Sequence, residues 1–260
     1  DPGRASGLHT VLGQAKKGVV LNLKKPEGVA IAKRLAAECD VLIENFATGV
    51  MERLGLGAKD LCRLNPNLVY LSASGLGRTG PESDAVAYGT LLQCYAGFAG
   101  LNRHPDRPPR VGMAWLDPMC GLMLPFLVAA SLWRQRERRG GGVRMDFSMI
   151  EAMLWAMSEA LLAAQLGDPP TPLGNASADY APHGVYRCAG EDDWLSLAVV
   201  DDDQWRSLCL IVPKLAGMKG LKQARRRAER EPIDAVLLAW AAPRSAEDAA
   251  RCLTASGIPS

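Results

Sequence analysis

"DVLIENFATGVMERLGLGAKDLCRLNPNLVYLSAS", Asp40 to Ser74, decides the fold. It begins and ends with apolar runs of strand length, "DVLIEN" (Asp40–Asn45) and "LVYLSAS" (Leu68–Ser74). Between them lie short helical patterns, Gly49–Leu54 and Ala58–Leu64. A hairpin needs only a tight turn, whereas strands joined through helices pair in parallel. Upstream, "VVLNL" (Val19–Leu23) reads as a further buried strand. Pro26 then opens a helix with apolar positions at Val29, Ile31, Ala32, Leu35 and Ala36; proline suits a first turn, where its missing N–H is not needed. Downstream come a helix from about Ala87 to Phe98, a Gly/Pro-rich loop Gly100–Gly112, an apolar helix beginning at Asp117, and a turn at Gly140–Gly142. A strand Val143–Ser148 and a long helix Met149–Leu166 complete the alternation. The expectation is an α/β chain whose large domain is a parallel sheet covered by helices. The composition changes sharply at Gly167–Gly184, which reads as a linker with the boundary near residue 180. Beyond it "GVYRCA" and "WLSLAVV" form a hairpin pattern followed by helices. The expected division is a large domain over 1–166, a linker over 167–182 and a smaller α/β domain over 183–260.

Composition narrows the function classes. With 260 residues, 48% hydrophobic and 22% charged, the chain has the make-up of a soluble globular protein. A net charge of +2 offers no electrostatic case for nucleic acid. The basic runs "RQRERR" (Arg134–Arg139) and "KQARRRAER" (Lys222–Arg230) carry interleaved acids and read as solvated helix faces. Seven cysteines, odd in number, widely spaced and without a C-x-x-C pair, argue against a disulfide framework and a zinc site. Reduced thiols fit a cytoplasmic setting. His9, His104 and His183 lack a metal-ligand neighbour at helical spacing, so no metal is expected. The apolar run after Asp117 is broken by Pro125 and reads as too short to span a membrane, and no signal peptide pattern is visible. The chain starts without Met and stops at "ASGIPS", as an incomplete segment would.

Three motifs carry candidate chemistry. "GLGRTG" (Gly75–Gly80) matches G-x-G-x-x-G, but Pro81 and polar residues follow where a dinucleotide fingerprint opens a helix. It is read as a flexible loop over a site. Asn45 follows a strand, where open parallel sheets bind ligands, and Arg53 stands about one helical turn further on, in reach of a phosphate. The alternative readings are a turn residue and a surface charge. Asp117 before Pro118 has the form of an N-cap with proline at N1. The same place suits a nucleophile, because amides at a helix start stabilise negative charge.

Together the segments resemble the family III CoA-transferases, the group of formyl-CoA and carnitine CoA-transferases that includes α-methylacyl-CoA racemase. The resemblance rests on "VVLNLKKPEG", "DVLIENFATGVMERLGLG", "LNPNLVYLSASGLGRTGP", "AYGTLLQCYAGFAGL", the stretch from "WLDPMCG" to "MIEAML", and "GNASADYAPHGVYRC", in the family's order. It implies a Rossmann-like large domain, an intertwined homodimer and coenzyme A as co-substrate with no tightly bound cofactor. The substrates it implies are an acyl-CoA and a carboxylic acid. It places the covalent catalyst at Asp117. CoA contacts are implied at Leu21, Asn22, Leu23 and Lys24, at Asn45, Phe46, Ala47 and Arg53, and at Ala85, Val86, Ala87 and Tyr88. Racemases of the family carry a histidine where this chain has Tyr88, which disfavours racemisation. The next position, often acidic in the family, is Gly89. The family's opening strand and helix and its C-terminal return lie beyond the two ends of this chain.

Overall fold

The computed structural model describes residues 7–137 and 140–260, and of residues 8 and 9 the backbone alone. The His9 side chain and Arg138 and Arg139 of the first basic run therefore lie outside the described residues. The helices are α1 (Gly7–Leu12), α2 (Pro26–Glu38), α3 (Val50–Arg53), α4 (Ala58–Leu64), α5 (Gly89–Tyr95), α6 (Phe98–Leu101) and α7 (Leu116–Arg136). They continue as α8 (Met149–Ala156), α9 (Ser158–Gln165), α10 (Asp202–Ile211), α11 (Gln223–Ala228), α12 (Arg230–Ala241) and α13 (Ala246–Thr254). The strands are β1 (Val41–Glu44), β2 (Val69–Ser74), β3 (Val143–Ser148), β4 (His183–Arg187) and β5 (Trp194–Ala198).

Two compact units result: one runs up to Ala96 and takes in Gly112–Ser158, the other comprises Gly97–Val111 and Glu159–Ser260. The division falls at Ser158, so the boundary expected near residue 180 lies inside the second unit. The first unit holds the parallel sheet, in the order β1-β2-β3. Val41 pairs with Val69, and Val69 with Val143. Central β2 is buried along nearly its whole length, as a strand covered on both faces must be. Ala36 of α2, Met51 of α3, Leu61 of α4, and Leu68 and Tyr70 form a core beside it.

Val19–Leu23 does not form the expected strand. It joins no ladder among the described residues, and Val19 and Val20 are 66% and 84% exposed. Its apolar letters find no strand to pair with, and the chain turns at Asn22, whose carbonyl accepts the Lys25 N–H at 3.0 Å, to enter α2. The helix expected over Ala87–Phe98 is shorter, because Tyr88 is extended and Gly97 takes φ +84°. The long helix after β3 breaks at Met157, where the backbone leaves helical geometry, giving α8 and α9. In contrast, α7 is longer than expected: its 21 residues suffice by length and composition to cross a membrane. Its apolar side chains Leu122, Phe126 and Trp133 are 79%, 73% and 67% exposed.

In the second unit β4 and β5 form an antiparallel hairpin. Tyr186, Leu195 and Leu197 point from it into a core completed by Trp205, Leu208, Ile233, Leu237 and Leu253. The basic run here is only in part a solvated face: Lys222, Arg225 and Arg227 are exposed, but one arginine is not. Arg226 is fully buried; its Nε donates to the Ala181 carbonyl at 2.9 Å, one Nη donates to Asp202 at 2.7 Å, and its guanidinium lies 5.4 Å from the Trp205 ring centre. Gln223 donates to the Asp179 carbonyl at 2.7 Å, Arg227 to that of Ala178 at 2.8 Å, and Arg230 to that of Ser177. An irregular segment has no ladder for its carbonyls, and guanidinium groups with five N–H donors supply the partners. The supposed linker is thus held at its end by α11 and the start of α12.

Candidate active site

The parallel sheet brings the carboxyl ends of β1, β2 and β3 to one edge. Asn45, Phe46 and Ala47 follow β1 there, Gly75–Gly80 follows β2, and α8 follows β3. The glycine loop is clamped, contrary to the reading of it as flexible. Arg78 reaches back over the sheet edge: one Nη donates to both carboxylate oxygens of Glu44 at 2.9 and 3.0 Å, the other to Thr48 Oγ1 at 3.3 Å, and Nε to Ser72 Oγ at 2.7 Å. Ser72 in turn donates to Glu44, and the Arg78 backbone N–H donates to the Asp146 carboxylate of β3. The Glu44 and Arg78 side chains are 5% and 10% exposed. Such a charge stays buried only with its partners in place. Both residues were visible in the sequence as an acid ending an apolar strand and a lone arginine among glycines, but nothing local paired them.

The clamped loop supports the next segment. The Gly75 carbonyl accepts the Ile150 N–H at 2.9 Å, and Ala87 lies over the bare Cα of Gly75, where a Cβ would stand 2.7 Å from its own. Ala85, Val86, Ala87 and Tyr88 therefore run beside the sheet edge; Val86 and Tyr88 are 67% and 73% exposed. Gly89 then starts α5 and is buried against Asp117, with Asp117 Oδ1 only 2.4 Å from where a Cβ of residue 89 would be.

Asp117 is not the N-cap of its helix. The cap position falls at Trp115, already helical in backbone and accepting the Met119 N–H at 3.0 Å, so α7 begins at Leu116. Pro118 is accommodated at the third helical position because the first amides of a helix have no intrahelical acceptor. The carboxylate makes no capping bond. It is exposed, takes part in no hydrogen bond or ion pair among the described residues, and faces Gly89. One turn on, the Cys120 thiol is buried and pushed up to about 11, first by desolvation and then by the negative charge of Asp117. It stays a neutral thiol at pH 7.

Of the implied CoA contacts, Leu23, Lys24 and Arg53 share one cleft of about 450 Å³ with Lys25, Pro26, Val29, Ala30, Lys33 and Leu54. Four cations line it around an aliphatic floor, a composition suited to phosphates and an apolar ring. Lys25 and Lys33 were missed; Pro26, Val29, Ala30 and Lys33 follow the i, i+3, i+4, i+7 spacing of one helix face, which was the available signal. Asn22 lies at the turn into α2, where its Oδ1 accepts the Lys24 N–H at 3.1 Å, and half-buried Leu21 precedes it. Asn45, Phe46 and Ala47 are exposed at the sheet edge, outside this cleft, so the implied contacts fall into two groups.

The CoA-transferase family III profile matches residues 2–260. Acetyl-CoA:oxalate CoA-transferase of Acetobacter aceti is 35% identical over 82% of this chain and 56% of its own length. Succinyl-CoA–D-citramalate CoA-transferase of Chloroflexus aurantiacus is 30% identical over all of this chain and 67% of its own length. The crystal structure of a CAIB/BAIF family protein from Brucella suis superposes with a TM-score of 0.84 at 28% identity, covering 94% of this chain and 65% of that one. The chain thus spans a little over half to two thirds of the length of these relatives. The match runs over nearly the whole chain, and the chain belongs to CoA-transferase family III.

Proposed function

We propose that this chain is the acyl-transfer part of a CoA-transferase that moves CoA from an acyl-CoA donor to a carboxylic acid. The observation that carries the reading is the uncapped Asp117 carboxylate, exposed in the first turn of α7 and seated on Gly89 beside the clamped loop. Asp117 attacks the donor thioester carbonyl, expelling CoA thiolate and leaving a mixed anhydride. The thiolate attacks the aspartyl carbonyl, the donor acid departs as its carboxylate, and an aspartyl-CoA thioester remains. The acceptor carboxylate attacks this thioester, and the reverse steps deliver its CoA ester and free Asp117. Covalent relay divides a hard exchange into easier steps, and first-turn amides stabilise the oxyanions. Thioester and anhydride conserve the energy, so coenzyme A serves as co-substrate and the mechanism calls for no metal.

The basic cleft of Lys24, Lys25, Lys33 and Arg53 supports binding of the phosphates of CoA. Oxalate and D-citramalate appear in the names of the relatives, and a dicarboxylate acceptor is the first class to try. The exposed apolar face of α7 (Leu122, Phe126, Trp133) supports an intertwined homodimer rather than a membrane span, because its helix also carries Asp117 in its first turn; the free cysteines fit a cytoplasmic setting. Racemisation is the second reading; Tyr88 in place of the racemase histidine stands against it.

The test is covalent trapping in the full-length protein. Incubation with succinyl-CoA or acetyl-CoA adds the mass of CoA to the peptide containing Asp117, and hydroxylamine releases it, leaving a hydroxamate. Asp117→Asn folds normally and forms no adduct. An adduct on Asp146 or Glu151, or an active Asn variant, refutes the assignment.

A further inference from the structure

The structure assigns a positioning role to the face of α5 that carries Gly89 and Gln93: in this chain it sets the posture of the Asp117 carboxylate, which occupies the space left open by the bare Cα of Gly89. This rests on Asp117 being the nucleophile. A Cβ built on Gly89 would stand 2.4 Å from Oδ1, 2.8 Å from Cγ and 3.0 Å from Oδ2 of Asp117. Carbon does not approach oxygen so closely without contact repulsion, so any side chain at 89 requires movement. The question is which group moves.

The backbone has little freedom to yield. Gly89 is buried, and α5 packs on both α7 and α8. Leu92, 1% exposed, is wedged in the same interface. One turn beyond Gly89, on the same face, Gln93 is 2% exposed and its Nε2 donates at 3.4 Å to the carbonyl of Met113, in the segment leading into α7. This bond ties α5 to the approach of α7 four residues before Asp117. The Asp117 side chain, by contrast, is exposed and held by no hydrogen bond or ion pair among the described residues. Relief therefore comes from rotation of the carboxylate away from α5. Glycine at 89 is a notch that accepts the carboxylate, and an alanine there displaces the nucleophile while leaving the fold in place.

A misplacement of about 1 Å costs a positioned reactant up to roughly 100-fold in rate. The basic cleft proposed to hold CoA does not include Gly89, so ground-state binding there is untouched. The experiment compares full-length wild type, Gly89→Ala and Asp117→Asn in single-turnover trapping of the CoA adduct, with the dissociation constant of the acyl-CoA measured separately. The final extent of adduct reads the folded fraction, and the rate reads placement of the carboxylate. Gly89→Ala is expected to reach the wild-type extent about 10–100-fold more slowly, with acyl-CoA affinity within about twofold of wild type. A Gly89→Ala rate within twofold of wild type overturns the inference, as does a loss confined to affinity. If Asp117→Asn is inert while Gly89→Ala runs at full rate, the positioning role alone fails. If Asp117→Asn itself forms the adduct, the nucleophile assignment fails and this inference with it.

Discussion

Arg78→Met removes the cation from a carboxylate that has little access to water. The Glu44 and Arg78 side chains are 5% and 10% exposed, and their closest approach is 2.9 Å. After the substitution Glu44 retains the Ser72 hydroxyl and the Phe46 N–H, the latter at 2.9 Å, but no positive partner. Breaking a buried pair from one side costs about 3–5 kcal/mol, because a buried charge is left uncompensated. At 1.36 kcal/mol per factor of ten, that is an acceleration of roughly 150- to 5,000-fold in any process that requires opening the site. Amide hydrogen exchange read peptide by peptide is the assay, since it reports local opening of β1 and β2 apart from the second unit. The loop Gly75–Gly80 loses its clamp in the same event, so its own exchange should rise with theirs. Glu44→Leu combined with Arg78→Met removes both charges and should recover most of the loss, as apolar replacement of whole buried pairs often does. If Arg78→Met changes exchange by less than about fivefold, the pair behaves as a surface ion pair worth under 1 kcal/mol, and the clamp is refuted.

Arg53→Ala should weaken CoA-ester binding by about 1.5–3 kcal/mol, the value of a hydrogen bond to a charged group. Calorimetry on the full-length protein checks it, and an unchanged dissociation constant removes Arg53 from the site. Cysteine labelling should divide by burial: Cys39, Cys94 and Cys252 are exposed and should react first, while buried Cys120 and Cys209, both pushed up to about 11 mainly by desolvation, remain protonated and unlabelled at pH 8. Mass mapping after a short iodoacetamide pulse reads the order, and early labelling of Cys120 would contradict the packing around Asp117.

Elements bounded by clear breaks in the apolar pattern were legible. β1 and β2 fall where apolar strand runs stand on either side of α3 and α4, and β3 has the predicted limits, Val143–Ser148. Val19–Leu23 misled because an apolar run shows only that a strand is possible; pairing depends on a neighbour that sequence does not show. The basic helix misled in the opposite way. Interleaved charges look solvated, yet Arg226 is fully buried against Ala181, Asp202 and Trp205, and only the path of the earlier segment makes that burial favourable. The cleft was half legible: Lys24 and Arg53 were named, while Lys25 and Lys33 join them through the turn of α2.

Asp117 shows why local pattern leaves a candidate catalytic residue ambiguous. A helix start attracts carboxylates for capping and for stabilising reaction charge, and both needs select the same letters, Asp then Pro. What separates them is one residue of register. If the helix began after Asp117, the carboxylate would be occupied by backbone amides and less able to attack. Because Trp115 already has helical geometry and accepts the Met119 N–H, Asp117 falls in the first turn with its oxygens directed at Gly89 instead. That register is set by tertiary packing: Leu116 is fully buried and Gln93 holds Met113. The carboxylate is thereby released from a structural duty that its sequence context suggests, and the first turn keeps amides that would stabilise charge developing in the proposed reaction.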